Sequence, residues 1–169
     1  AASLIALGPQ HRFQTKLYAG ESVSYSGATL QTTLYLKGSG DPTLSTPAYL
    51  NRYLGGAGSN INRLVRPLRQ NFGITSIRGP IVVDESTSDT QRRIASWPAR
   101  YAIECQPLSA VNINQGYLGD RRAKYVKRPP LAAGVQLREA MKRMGVRHTG
   151  KIVTGRVPVV GRELASISS

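Results

Sequence analysis

Apolar positions in this chain recur with two different periods, and the period assigns the elements. Residues 30–36 alternate apolar with polar side chains and are rich in Thr and Leu; they and residues 13–17 predict strands. Gly20 and Gly27 bracket a short polar segment, read as two turns with a strand between them. Ile61, Leu64, Val65, Leu68 and Phe72 share one helical face behind Ser59 or Asn60 as a cap, with Pro67 as an interior blemish and Gly73 as a stop. Residues 74–83 read as a strand or strand pair broken at Gly79-Pro80. A further helix begins near Leu131, with Gly134, Val135, Leu137, Ala140, Met141 and Met144 at helical spacing and Gly145 closing it. The two methionines read as core filler. Residues 152–160 and 163–168 read as strands, and Val111 with Ile113 as a short one.

Between these runs the chain is punctuated. Gly38-Ser-Gly-Asp-Pro-Thr-Leu44 demands a tight loop. Residues 84–107 are irregular and polar, interrupted by Trp97-Pro98 and Pro107. At the start, Ala1 to Leu7 reads as the end of an apolar helix closed by Gly8-Pro9, and an uncapped helix at residue 1 points to sequence upstream. One pattern occurs twice: Phe72-Gly73-Ile74 leads to Gly79 and an apolar run, and Met144-Gly145-Val146 leads to Gly150 and another. Helix, glycine, strand, glycine, strand in both places fits an α+β fold with helices packed on a sheet, and equally fits two ordinary helix-to-strand connections.

A chain of 169 residues makes one ordinary domain, or one domain plus pieces of a neighbour. With 40% hydrophobic residues it can form a packed core. The charge is lopsided: 23 Lys and Arg against 9 Asp and Glu give a net charge of +14, a field that attracts polyanions such as nucleic acid, anionic lipid or anionic wall polymers. Most of the basic residues are scattered. The one dense patch is Arg121, Arg122, Lys124, Lys127 and Arg128, read as a solvated basic loop ahead of a dedicated binding site.

The search for chemistry excludes more than it finds. Cys105 is the single cysteine, and His11 and His148 are the only histidines, so no Cys/His zinc spacing exists and no metal or cofactor is expected. Ser-x-x-Lys, which places a serine nucleophile one helical turn from its lysine, is absent, as is Ser-x-Asn; Ser59-Asn60 and Ser109-Ala-Val-Asn112 have the wrong spacing. No phosphate-cradling glycine motif and no paired carboxylates occur. His148-Thr149-Gly150 could stand in for a catalytic Lys-Thr-Gly strand, but it fills the slot that residues 76–79 fill in the first repeat and is read as structure. Asp41, between Gly40 and Pro42, reads as an Asx-type turn, and Asp84 as a strand-end loop cap.

Several stretches, in order, resemble one family. They are Ala6-Leu-Gly-Pro-Gln-His-Arg-Phe-Gln-Thr15, Leu34-Tyr-Leu-Lys-Gly-Ser-Gly-Asp-Pro-Thr-Leu44, Gly73-Ile-Thr-Ser-Ile-Arg-Gly-Pro-Ile-Val-Val-Asp84, Pro107-Leu-Ser-Ala-Val-Asn-Ile-Asn114, and Gly145 to Pro158 with Leu164-Ala-Ser-Ile-Ser-Ser169. Together they resemble the D-alanyl-D-alanine carboxypeptidases and endopeptidases with a large insertion, the class C low-molecular-mass penicillin-binding proteins. The resemblance implies a serine enzyme that acts on peptidoglycan stem peptides outside the cytoplasmic membrane and reacts with β-lactams. It also implies that Ser-x-x-Lys lies upstream of this chain, with Ser-x-Asn and Lys-Thr-Gly downstream. Residues 1–17 and 159–169 would then be strips of the transpeptidase-like domain, and 18–158 the insertion domain without the further nested domain that many members carry. The chain alone would hold no catalytic residue and be inactive. The family often places an acidic residue three positions after a tryptophan, where it holds a substrate amine. Trp97 matches, but Arg100 stands at the later position, which suits a carboxylate better. Trp97 and Arg100 are thus the candidate substrate-binding residues, with a half-buried packing role the alternative for Trp97. Two rivals remain: a basic binding module for nucleic acid or a wall polymer, and a degenerate homologue without catalytic motifs.

Overall fold

The computed structural model describes residues 6, 8–98, 100, 101 and 105–169. Among the described residues it is an α+β fold of two sheets and three α-helices. The strands are β1 (Gln14–Ala19), β2 (Ser24–Ser26), β3 (Thr29–Gln31), β4 (Leu34–Lys37), β5 (Ser76–Arg78), β6 (Ile81–Asp84), β7 (Arg147–Thr149), β8 (Ile152–Thr154) and β9 (Arg162–Ser168). The helices are α1 (Pro47–Tyr53), α2 (Asn62–Gln70) and α3 (Pro129–Arg143). One sheet has the order β8-β6-β4-β1-β9, the other β2-β3-β5-β7.

The repeat suspected in the sequence is real and has a third member. β3–β4, β5–β6 and β7–β8 are strand pairs that each pass from the four-stranded sheet into the five-stranded one. They stack in parallel: β3 on β5 on β7, and β4 on β6 on β8. The single strand expected over 30–36 therefore breaks at Thr32-Thr33, where the chain changes sheets. Hydrogen bonding continues through these corners, from Thr32 N to Arg78 O and Leu34 N to Pro80 O, then from Gly79 N to Thr149 O and Ile81 N to Lys151 O. Such close stacking leaves no room for side chains. A Cβ on Gly79 would lie 2.0 Å from the Thr32 carbonyl oxygen, and one on Gly150 equally close to that of Gly79. His148 accordingly sits in β7 opposite Ile77 of β5, as structure rather than as part of a serine-enzyme centre.

The core lies between the sheets and the helices. Leu17, Leu34, Leu36, Ile77, Ile81 and Val83 from the strands meet Leu64, Val65 and Leu68 of α2 and Leu137, Ala140 and Met141 of α3. α3 packs on β6, β7 and β8, close enough that a Cβ on Gly134 would meet Ile152 at 2.4 Å. α2 begins where Asn60 Oδ1 accepts from Asn62 N at 2.9 Å, and it accommodates Pro67 within its span. Phe72 does not belong to its buried face but lies 38% exposed beyond its end. β1 and β9 pair antiparallel, so the two ends of this stretch run side by side, and Phe13 N donates to Ser169 Oγ.

Other expectations need correction. α3 starts at Pro129, because proline fits the first helical turn. Val111 and Ile113 are buried but form no strand; they are held by the loop at Gly38, whose Cβ position lies 2.2 Å from the Ala110 carbonyl oxygen. The strand expected over 152–160 ends at Thr154. α1 was not anticipated. The helix expected before Gly8 lies almost wholly outside the described residues.

Candidate functional site

The irregular stretch from Glu85 to Arg128 folds against α1, and the side chains with chemistry gather there. α1 begins at Thr46-Pro47. The Thr46 hydroxyl oxygen accepts from Tyr49 N at 3.3 Å as the cap, and proline occupies the first turn. Asn114 fixes this helix start to the rest of the lobe. Its Oδ1 accepts from Thr46 N at 2.8 Å, its Nδ2 donates to Gly119 O at 2.8 Å, and its own N–H donates to Leu44 O. The backbone turns sharply here. Asn114 and Gln115 both adopt left-handed φ values, 55° and 51°, which is familiar for Asn and strained for Gln. Strain of this kind persists only where surrounding contacts over-determine it.

Those contacts are a cluster of four tyrosines and one arginine. Tyr49 is fully buried, and its hydroxyl donates to Gln115 Oε1 at 2.9 Å. Arg122 donates from Nε to the Tyr49 hydroxyl at 2.9 Å and from Nη2 to Gln115 Oε1 at 2.8 Å. Its guanidinium lies 4.6 Å from the Tyr53 ring centroid and 5.7 Å from that of Tyr49, a cation–π arrangement. Tyr117 stacks on Tyr125 at 4.3 Å and donates to its hydroxyl at 2.8 Å. Burial, and then the Tyr117 hydroxyl, push the Tyr125 phenol up to about 12. Burial also raises the Tyr49 phenol, against the opposing pull of Arg122, while the bond to Tyr49 raises Arg122 itself. Tyr53 moves the other way, lowered chiefly by the Arg122 backbone N–H that donates to its oxygen.

A cleft of about 420 Å³ opens beside this cluster. Pro42, Trp97, Cys105, Gln106, Leu108, Gln115, Tyr117, Arg122 and Tyr125 line it. The sequence-derived candidates fall in and around this cleft. Trp97 is half-buried in its wall, edge-on to Tyr101 at 6.3 Å. Arg100 is exposed, with its guanidinium 5.3 Å from the Tyr101 ring centroid, and it is not among the lining residues. From the basic loop, Arg122 belongs to the cluster, whereas Arg121, Lys124, Lys127 and Arg128 are exposed.

A second polar cross-link anchors the segment that carries Trp97. Arg92 grips Glu85 with both terminal nitrogens and donates to Leu108 O at 2.9 Å; Ser109 Oγ donates to the same carboxylate at 2.7 Å. A serine beside a carboxylate could suggest an activated hydroxyl. Both oxygens of that carboxylate are already engaged by Arg92, and the group serves as a clasp. Asp41 forms the expected turn, accepting from Thr43 N at 2.8 Å and Thr43 Oγ1 at 2.7 Å. Asp84 caps two loops, accepting from Ser86 N and Val157 N; burial works against its charge, but these bonds and Lys37 hold the carboxyl below its ordinary range. Among the described residues no group of His, Cys, Asp and Glu could hold a metal ion, and no helix is long and apolar enough to cross a membrane.

Residues 1–124 match the model of the D-Ala-D-Ala carboxypeptidase 3 (S13) family. The chain belongs to this family. A family relative, the D-alanyl-D-alanine carboxypeptidase of Actinomadura sp. (strain R39), is 29% identical over 137 residues, which is 79% of this chain and 22% of the relative. Among solved structures, penicillin binding protein 4 (dacB) from Haemophilus influenzae matches 99% of this chain and 48% of its own length, with a TM-score of 0.72 at 17% identity. The same protein complexed with a β-lactam matches with a TM-score of 0.59 at 16% identity, over 99% of this chain and 47% of its own length. This S13 family chain therefore spans under a quarter of the curated relative and about half of the solved structures, and it shares their fold.

What sequence reasoning missed is α1 and the role of Arg122. The signal was present: a Thr-Pro helix start followed by Tyr49 and Tyr53 four residues apart, hence on one face. The turn at Asn114 and Gln115 had no such signal, because long-range bonds impose it.

Proposed function

We propose that this chain is part of a serine-type D-Ala-D-Ala carboxypeptidase or endopeptidase that acts on peptidoglycan stem peptides on the outer side of the cytoplasmic membrane. Residues 18–158 form its insertion domain, without a nested third domain. Residues 1–17 and 159–169 lead to and from the transpeptidase-like domain. Family membership carries the activity. The antiparallel pairing of β1 with β9 supports the insertion, because an inserted domain must leave and return through neighbouring connections. The chain alone lacks Ser-x-x-Lys and Ser-x-Asn and is inactive. Its task is to shape the substrate approach, with Trp97 and Arg100 contacting the stem peptide.

The test is intact mass after incubation with a β-lactam, on this chain and on a longer chain that carries the flanking sequence. An adduct on the longer chain alone is expected, formed when the serine oxygen opens the lactam ring and stays acylated. An adduct on residues 1–169 would place a nucleophile within them and overturn the reading. No adduct on either would point to a degenerate homologue or a basic binding module.

A further inference from the structure

Arg122 is the cation of the basic loop that is bonded into the tyrosine cluster, yet no acidic residue among the described ones pairs with it. The comparison with Arg92 is direct: that fork is closed on Glu85. In Arg122 two nitrogens are committed to neutral partners, Tyr49 and Gln115, and the plane rests on Tyr53. Nη1 makes no bond among the described residues, and the side chain lines the Trp97 cleft while remaining exposed. Tyr49 is immobilised by burial and Gln115 by a strained backbone, so the guanidinium is held in place before anything binds.

We infer that the Arg122 guanidinium, fixed on the tyrosines of α1 at the edge of the Trp97 cleft, binds a carboxylate carried by the peptide that enters the cleft. The inference rests on the peptidase reading and deepens it by naming the substrate chemistry. The chemistry of the cleft is consistent throughout. Trp97, Tyr117, Tyr125, Pro42 and Leu108 offer a mainly apolar, flat-walled slot for a peptide backbone, and no Asp or Glu lines it among the described residues. A free amine would find no counter-ion there. A carboxylate would find an arginine whose planar fork is already oriented, which a flexible lysine could not supply. The four remaining cations of the loop are exposed and unbraced by any such cluster. They raise the local concentration of anions without fixing one in place.

Trp97 is the only tryptophan in the chain and stands in the cleft wall, so its fluorescence reports occupancy. The probes are N-acetyl-L-alanyl-D-glutamate and its diamide. Saturable binding of the carboxylate form about tenfold tighter than the diamide is expected, the scale of a charge-assisted hydrogen bond. R122Q should erase that preference in a protein that still melts cooperatively, at a lowered midpoint because the bonds to Tyr49 and Gln115 are lost, and R121Q should keep it. Equal binding of the two probes, absence of binding, or a preference lost equally in R121Q would overturn the assignment. Should R122Q fail to fold, the two probes and R121Q still decide it. Acylation of the longer chain by a β-lactam without any carboxylate preference would leave the peptidase reading intact and remove this one alone.

Discussion

The stacked strand pairs and the lobe from Glu85 to Arg128 belong to one chain but cohere by different means. The stack repeats one strand pair three times and lets main-chain hydrogen bonds run through the corners. Among its described residues the lobe has almost no regular structure. Individual side chains hold it: Arg92 on Glu85, Asn114 on Thr46, and Arg122 on Tyr49 and Gln115. The stack gains rigidity from repetition, which leaves few side chains free for chemistry. The lobe gains specific geometry from polar cross-links, and the aromatic cleft lies there.

The comparison can be broken at its strongest point first. Gly79 combines a φ of +131° with a Cβ position 2.0 Å from a carbonyl oxygen. G79A should lower the unfolding free energy of the whole chain by on the order of 3–5 kcal/mol, from backbone strain and overpacking together. Chemical denaturation would show it as a shifted midpoint; a change under 1 kcal/mol, well below either contribution, would mean the corners are not tightly stacked. In the lobe, N114A removes the acceptor of the buried Thr46 N–H and should cost roughly 1–3 kcal/mol. Here the pattern matters more than the size. Hydrogen exchange should quicken across α1 and the Gly116–Gly119 turn while β4 and β6 stay protected, and uniform acceleration would merge the two regions into one cooperative unit.

The smallest effect concerns pH. His148 is half-buried, and burial lowers its pKa despite the bond to the Gly79 carbonyl; Arg138 of α3 adds to the lowering. A carbonyl only accepts, so Nε2 carries the proton and donates to Gly79 O at 2.9 Å, and Nδ1 is buried without a partner. The fold thus prefers neutral imidazole, whereas the unfolded chain takes up a proton near pH 6.5. The stability tied to this neutrality is complete above pH 6.5 and declines as the pH falls below it. Thermal melts at pH 7.5 and pH 5.5 should show H148Q losing less of its melting temperature than the parent; parallel loss would assign the acid sensitivity elsewhere.

The same contrast explains what could be read in advance. Strands β5 and β6, the body of α2, and α3 were legible because apolar periodicity and glycine stops are local signals. The break at Thr32-Thr33 was not, since nothing in Leu30-Gln-Thr-Thr-Leu-Tyr-Leu36 marks a change of sheet; the neighbouring Gly79 corner dictates it. In the lobe, Trp97 was named through resemblance, and its side chain stands in the wall of a cleft. Arg122 was counted as one charge among five, and composition cannot show that one of them lies across two tyrosines brought in from seventy residues away. Asn114 was part of a quoted motif, but its role appears only when its partner Thr46 is seen across the fold.

The pairing of β1 with β9 has a consequence for how the chain is made. β1 lies between β4 and β9. The first of these neighbours leaves the ribosome soon after β1 does, while the second follows every other strand of the two sheets, with Phe13 and Ser169 bonded across 156 positions. From the emergence of β1 until that of β9, one flank of β1 presents open N–H and C=O groups and nothing of its own to meet them. A nascent chain that has not yet reached β9 is therefore adhesive along one definite line, and this seven-residue strand closes it.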